Sequence, residues 1–176
     1  LITPCFKDAW SSLIASFGTA TIEHCQQIIS DEDFHGDSAE LVIIHRPAGS
    51  KIKKICFVGL GEQANLTFSN LVSTFNKVLP SIRTRHCHAL HILLPKYTPQ
   101  TRLIYQATVR AFSNFQYVFK GYKTTSSDFD MSARPKLILL CEQAQHLNQK
   151  LEYWSAESAG IRLAKDLANA AANDCT

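Results

Sequence analysis

The strongest constraint on what this chain can fold into is an alternation of two kinds of segment. Short runs of β-branched and other apolar residues, cut by glycine or proline, take turns with longer segments in which apolar residues recur every three to four positions. Residues 40–45 (Glu-Leu-Val-Ile-Ile-His) and 54–59 (Lys-Ile-Cys-Phe-Val-Gly) are of the first kind, as are 87–94, stopped by Pro95, and 135–141. Branched side chains pack well on a pleated, half-buried surface, so these runs predict strands. Residues 46–50, holding Pro47 and Gly49, are short enough to join the first two as an antiparallel hairpin. Of the second kind is the segment with Phe68, Leu71, Val72, Phe75, Val78 and Leu79, a helix capped by Thr67 and closed by Pro80. Thr98 followed by Pro99 opens another, with Leu103, Ile104, Ala107, Ala111 and Phe112 on one side. Strands alternating with helices predict an α/β domain, a mixed sheet with helices on both faces.

The remaining segments fit this frame. Residues 1–6 read as a strand, 10–17 and 22–29 as helical stretches, and Ser30-Asp31-Glu32-Asp33 as a solvated turn. Residues 115–123 extend the preceding helix or form an edge strand, and 123–134 are polar and loop-like. The near-continuous apolar run 135–141 predicts a strand buried on both faces. From about 146 to 172, Ala156, Gly160, Leu163, Leu167 and Ala170 recur at steps of three and four, a helix whose small residues would lie close against a neighbour. That helix reads as a connector, which divides the chain into an α/β domain over 1–148 and a connector over 149–176.

Composition narrows the function classes. The 176 residues are 45% hydrophobic and 19% charged, the balance of a folded globule and not of a disordered tail. No apolar run approaches the roughly 20 residues of a membrane-spanning helix. A net charge of +3 is too weak to argue for nucleic acid by itself. The six cysteines, Cys5, Cys25, Cys56, Cys87, Cys141 and Cys175, show no C-x-x-C spacing, and several sit in apolar runs where a thiol acts as a small hydrophobe. Reduced thiols and a cytoplasmic setting are expected. The chain opens at Leu1 without an initiator Met or a signal sequence, and stops after an Ala-rich helical stretch. The expectation is a piece of a longer polypeptide.

Four features could carry chemistry. Gly59-Leu60-Gly61 after a strand has the form of a phosphate-cradling turn, but Ala64 stands where a dinucleotide fingerprint needs its third glycine. A plain strand-to-loop turn is expected. His86, Cys87, His88 and His91 are the densest metal-capable group, yet strand alternation sends His86 and His88 one way and Cys87 and His91 the other. Asp31, Glu32 and Asp33 lack the glycine and downstream Glu of a calcium loop. Lys51, Lys53 and Lys54 with Arg83 and Arg85 permit a phosphate-contacting patch without requiring one. No Gly-x-Ser-x-Gly elbow, His-Glu-x-x-His or Walker-type loop appears. No residue is therefore assigned as catalytic, cofactor-binding or metal-ligating.

Two stretches together resemble the N-terminal region of the leucyl aminopeptidase (cytosol aminopeptidase) family. The first is Asp33-Phe34-His35-Gly36, then a strand, then 54–61 ending Val-Gly-Leu-Gly, with Leu66-Thr67 opening the next helix. The second is Gly160-Ile-Arg-Leu-Ala-Lys165-Asp166-Leu167-Ala-Asn169 followed by Asn173-Asp-Cys175-Thr176. It is similar to the helix and Asn-rich turn through which such enzymes pass into their catalytic domain. The resemblance runs through the whole chain in order. It departs where Ala170-Ala171-Ala172 replace a usual proline and where Lys165 replaces a frequent arginine.

The resemblance implies a macro-domain-like fold joined to a two-metal exopeptidase domain, with manganese or zinc ions that activate water and polarise the scissile carbonyl. It implies peptide substrates met by that catalytic domain, a homo-hexamer for the full-length enzyme, and a fragment that is inactive alone and holds no cofactor. The family's metal ligands and catalytic lysine have no counterpart in these residues. The alternatives are a stand-alone macro-type module binding ADP-ribose or a related nucleotide, and a DNA-binding regulatory domain.

Overall fold

A computed structural model describes residues 1–7, 19–49, 51–82, 88–94, 99–119, 135–141 and 144–170. The strands are β1 (Ile2–Cys5), β2 (Leu41–His45), β3 (Lys54–Gly59), β4 (Ala89–Leu93) and β5 (Lys136–Leu140). The helices are α1 (Thr19–Asp31), α2 (Phe68–Ile82), α3 (Pro99–Phe115) and α4 (Ala144–Asn169). The strands form one sheet in the order β2-β3-β1-β4-β5. β2 and β3 pair antiparallel with Ile43 opposite Cys56, as the short connection requires, and the other neighbours are parallel.

Both faces of the sheet are covered. Strand alternation sends Ile55 and Phe57 to one side, where they pack with Cys5, Val42 and Ile44 against Cys25 and Ile29 of α1. It sends Cys56 and Val58 to the other, where Ile2, Leu90 and Ile92 meet Leu71, Phe75 and Leu79 of α2 and Ile104 and Ala111 of α3. β3 to β4 and β4 to β5 are parallel crossovers that step the same way across the sheet. A right-handed connection rule therefore places α2 and α3 on one face, leaving the other to α1. Burying each large side chain contributes about 1.5–3 kcal/mol, which is why the helical and strand periods decide the layers.

Local signals explain several boundaries. The Asn70 amide donates to Thr67 Oγ1 at 3.2 Å, so Thr67 caps α2 as expected. Pro99 is the first residue of α3, where its missing N–H costs nothing. α2 does not close at Pro80, however. It continues to Ile82, because a proline in the last turn forfeits a single helical bond while Ile82 is buried in the core.

Four further expectations are corrected in whole or in part. β5 is an edge strand and is not buried on both faces: Ile138 and Leu140 are each 37% exposed. Its position at the end of the sheet leaves one side without a covering helix among the described residues. α4 turns its Ala156, Gly160, Leu163 and Leu167 face outward, with Leu163 61% and Leu167 56% exposed, and packs instead through Leu147, Trp154 and Ser158. The Trp154 indole, the largest apolar side chain on the helix, lies on the face with Leu147 and gains most by burial. The acidic segment 30–33 is solvated, but only Glu32 and Asp33 form the turn, since Ser30 and Asp31 belong to α1. α3 ends at Phe115, so among the described residues 116–119 neither extend it nor form a strand. The expected helix over 10–17 and loop over 123–134 lie outside the described residues.

Candidate functional site

The two turns singled out in the sequence lie against each other at the carboxyl end of β3. In open α/β sheets that end is where ligands bind, so its backbone donors decide what the site can do. The Gly59 amide donates to the Glu40 carbonyl at 2.8 Å, Leu60 to Cys5 at 2.8 Å, and Gly61 to Gly36 at 2.9 Å. Every amide of the Gly-Leu-Gly turn is thus spent inside the fold, and none is left to cradle a phosphate. The other turn is equally occupied. The Glu40 carboxylate accepts from the amides of His35, Gly36 and Asp37 at 3.0, 2.7 and 2.8 Å, filling a nest that could otherwise hold an anion. Beside them is a cleft of about 460 Å³ whose lining includes Asp37, Glu62, Asn65 and Lys77. Lys7 Nζ, just past β1, bonds Asp37 at 2.9 Å.

Glycine is required here by space. A Cβ on Gly59 would stand 2.0 Å from the Asp37 carbonyl oxygen. Gly36 has φ +82° and Gly61 φ +77°, the left-handed region that other residues enter at a cost.

The acidic segment proves to be a helix terminus. Asp33, at φ 54°, donates its amide to Ser30 O at 3.2 Å, and Phe34 donates to Ile29 O at 3.1 Å. This is a Schellman cap, and it brings Phe34 onto Ile29 in the core beneath α1. Asp31, Glu32 and Asp33 are all exposed and do not converge on a cation.

Of the His and Cys group, His86 and Cys87 lie outside the described residues. His88 is exposed ahead of β4, and His91 is half-buried on the α1 side of the sheet. Among the described residues no group of three or more His, Cys, Asp and Glu side chains could hold a metal ion. Lys51 and Lys53 are exposed at the hairpin end, and Arg83 and Arg85 lie outside the described residues. Cys5 is fully buried, and its thiol is pushed up to about 12 by that burial. Cys25 is raised by the same cause. Both are protonated, poor nucleophiles.

The second stretch of the resemblance sits on the outer half of α4, where its polar residues grip the end of α3. Arg110 pairs with Glu157. Arg162 Nε donates to Ser113 Oγ at 2.8 Å, and Lys165 Nζ to Asn114 Oδ1 at 2.8 Å while standing 5.2 Å from the Tyr117 ring centroid. The Tyr117 hydroxyl donates to Asp166 at 3.0 Å and accepts from Asn169 at 3.3 Å. Sequence reasoning missed this clamp and the Glu40 contacts alike. The available signals were the helical spacing of Arg162, Lys165, Asp166 and Asn169, and an acid just past a glycine turn.

These features define an open α/β domain with its turn amides consumed by its own carbonyls and the Glu40 carboxylate, and a polar clamp holding its last helix. The chain belongs to the cytosol aminopeptidase family: the profile described as "Cytosol aminopeptidase family, N-terminal domain" matches residues 5–126. Among curated relatives, a probable cytosol aminopeptidase of Hydrogenovibrio crunogenus is 25% identical over 183 residues, covering 100% of this chain and 36% of its own length. One from Nitrosococcus oceani is 23% identical over 180 residues, covering 94% and 34%. The chain thus spans about a third of the length of the relatives it matches. Among solved structures, the bottromycin maturation enzyme BotP in complex with Mn has a TM-score of 0.62 at 14% identity, covering 99% of this chain and 32% of that one. Cytosol aminopeptidase from Coxiella burnetii has a TM-score of 0.57 at 16% identity, covering 99% and 32%. These two likenesses show the fold.

Proposed function

We propose that this chain serves as the non-catalytic N-terminal domain of a longer cytoplasmic aminopeptidase, a two-metal enzyme that releases N-terminal amino acids from peptides. The match of the family's N-terminal domain over residues 5–126 carries this reading. In it, 1–148 form the domain and 149–176 lead toward the catalytic domain, which supplies the metal ions, manganese or zinc, and the peptide site. The full-length enzyme would assemble as a hexamer. The clamp between α3 and α4 supports the connector role, because it fixes the direction in which α4 leaves the sheet. A cytoplasmic place agrees with the names of the relatives and with the buried free thiols of Cys5 and Cys25.

No observation favours the nucleotide-binding or DNA-binding alternatives. The amides of Gly59, Leu60 and Gly61 are engaged within the fold. The direct test is to assay the purified 176-residue chain on leucine p-nitroanilide with added manganese. No turnover is expected, and turnover above the background of the metal alone would overturn the assignment of a non-catalytic domain. Reading the coding sequence past Thr176 tests the family role separately, since a metal-binding aminopeptidase segment is expected there.

A further inference from the structure

The clamp between α3 and α4 stands over a cavity whose polar groups the fold leaves idle. The two helices run in the same direction, since Arg110 meets Glu157, Ser113 meets Arg162 and Asn114 meets Lys165 in step. Between them and the inner face of β5 lies a cavity of about 360 Å³, within the ~300–1,000 Å³ of small-molecule sites. Val109 and Phe112 of α3, Leu137 and Leu139 of β5 and Leu151 of α4 give it apolar walls. Along α4 the lining passes from Leu151 through Ser155 and Ser158 to Arg162, one helical face. Along α3 it passes from Val109 to Ser113. Because the helices are parallel, their apolar ends lie together and Ser113 and Arg162 mark the opposite end. Ser158 is only 6% exposed, lines the cavity and has no hydrogen-bond partner among the described residues. Arg162 engages only its Nε, which donates to Ser113 Oγ at 2.8 Å. That bond holds the guanidinium in place and leaves its two terminal nitrogens without a partner among the described residues. No acidic side chain stands in the lining: Glu157 is paired with Arg110, and Asp166 accepts from Tyr117.

We propose that this cavity binds a small monocarboxylic acid with a medium-length apolar tail, its carboxylate on Arg162 and its tail running toward Val109 and Leu151. A planar guanidinium with both terminal nitrogens open matches the two oxygens of a carboxylate. Ser158 offers a further hydroxyl one helical turn inward, where a buried polar group without a partner carries a cost that a ligand oxygen would remove. Phosphate and sulfate fit less well, because no second cation lines the cavity to balance a second charge and the apolar walls call for a tail. The polarity gradient along both helices sets the orientation. The proposal does not depend on the aminopeptidase reading.

Octanoate and octanol, titrated separately into the isotope-labelled 176-residue chain and followed by amide chemical shifts, test it. Octanoate is expected to move the amides of Ser113, Leu139 and Ser158 to saturation, and to bind about tenfold tighter than octanol, the worth of a charge-assisted pair. Arg162→Gln should remove that advantage and bring octanoate down to the affinity of octanol. Ser155→Trp, which fills the cavity from its exposed rim and breaks no hydrogen bond among the described residues, should abolish binding of both with the melting curve unchanged. Absence of saturable shifts in the wild-type chain would overturn the proposal and leave the cavity to water. Equal affinities for octanoate and octanol would overturn it too, as would octanoate binding undiminished by Ser155→Trp. If Arg162→Gln fails to fold, the octanol comparison and Ser155→Trp decide without it.

Discussion

Gly59 and Asp37 stand so close that a β-carbon on the glycine would come within 2.0 Å of the Asp37 carbonyl oxygen. The approach is fixed by bonds on either side of it: Ala39 N to Gly59 O at 3.0 Å, Gly59 N to Glu40 O at 2.8 Å and Gly61 N to Gly36 O at 2.9 Å. The two turns within the first stretch that resembles the family, at 33–36 and 59–61, are thus one structural unit. The glycines serve backbone packing here and bind no phosphate.

Gly59→Ala should therefore destabilise the domain by about 2–4 kcal/mol, since backbone must move to admit the methyl group. Gly160→Ala is the internal control. Nothing lies within 4 Å of a Cβ there, and the position is in mid-helix, so the same change should stabilise by about 0.5–1 kcal/mol. Urea denaturation of the two variants checks both signs.

Asp33 occupies the left-handed position of the cap on α1 at φ 54°. Asp33→Gly should relieve that strain and raise stability by about 0.5–1 kcal/mol, whereas Asp33→Val should lower it. If Asp33 were instead a cation ligand, added calcium would shift the wild-type melting curve and not that of the glycine variant. No calcium shift is expected in either.

The Tyr105 hydroxyl reaches the carbonyls of both Leu94 and Leu140, tying the ends of β4 and β5 from α3. Tyr105→Phe should cost about 1–2 kcal/mol by leaving both carbonyls without that donor. Amide exchange at Leu94, whose N–H bonds Leu140 O at 3.2 Å, should accelerate in parallel. Retention of wild-type stability and exchange would show that the hydroxyl plays no part in holding the sheet edge.

Burial raises the Cys5 thiol from 9.0 to about 12, so the folded state keeps a proton that the unfolded chain releases. Stability is full below about pH 9 and should be lost as pH rises from there toward 12, with a slope of up to about 1.4 kcal/mol per pH unit from this group. Cys5→Ala should flatten that alkaline fall while lowering stability at pH 7 through lost packing. Guanidinium melts at pH 7, 9 and 10 measure both effects.

Much of this architecture follows from residue order alone. The alternation of 40–45 and 54–59 specified a hairpin, and the spacing of Leu71, Phe75, Val78 and Leu79 specified the buried face of α2, because a side chain's period is a local property of the backbone. Thr67 and Pro99 set helix starts for the same reason. What required the tertiary structure was everything that depends on neighbours distant in sequence. An apolar run such as 136–140 does not encode whether it lies at the centre or edge of a sheet; strand order placed it at the edge and left Ile138 partly exposed. A stripe of alanine and leucine on α4 did not reveal that Trp154 and Leu147 would win the core, since larger apolar side chains gain more by leaving water. A Gly-Leu-Gly turn reads alike whether its amides face a ligand or a carbonyl from the adjoining turn. Only the folded chain, by bringing Asp37 and Glu40 onto Gly59, decided that it was the carbonyl.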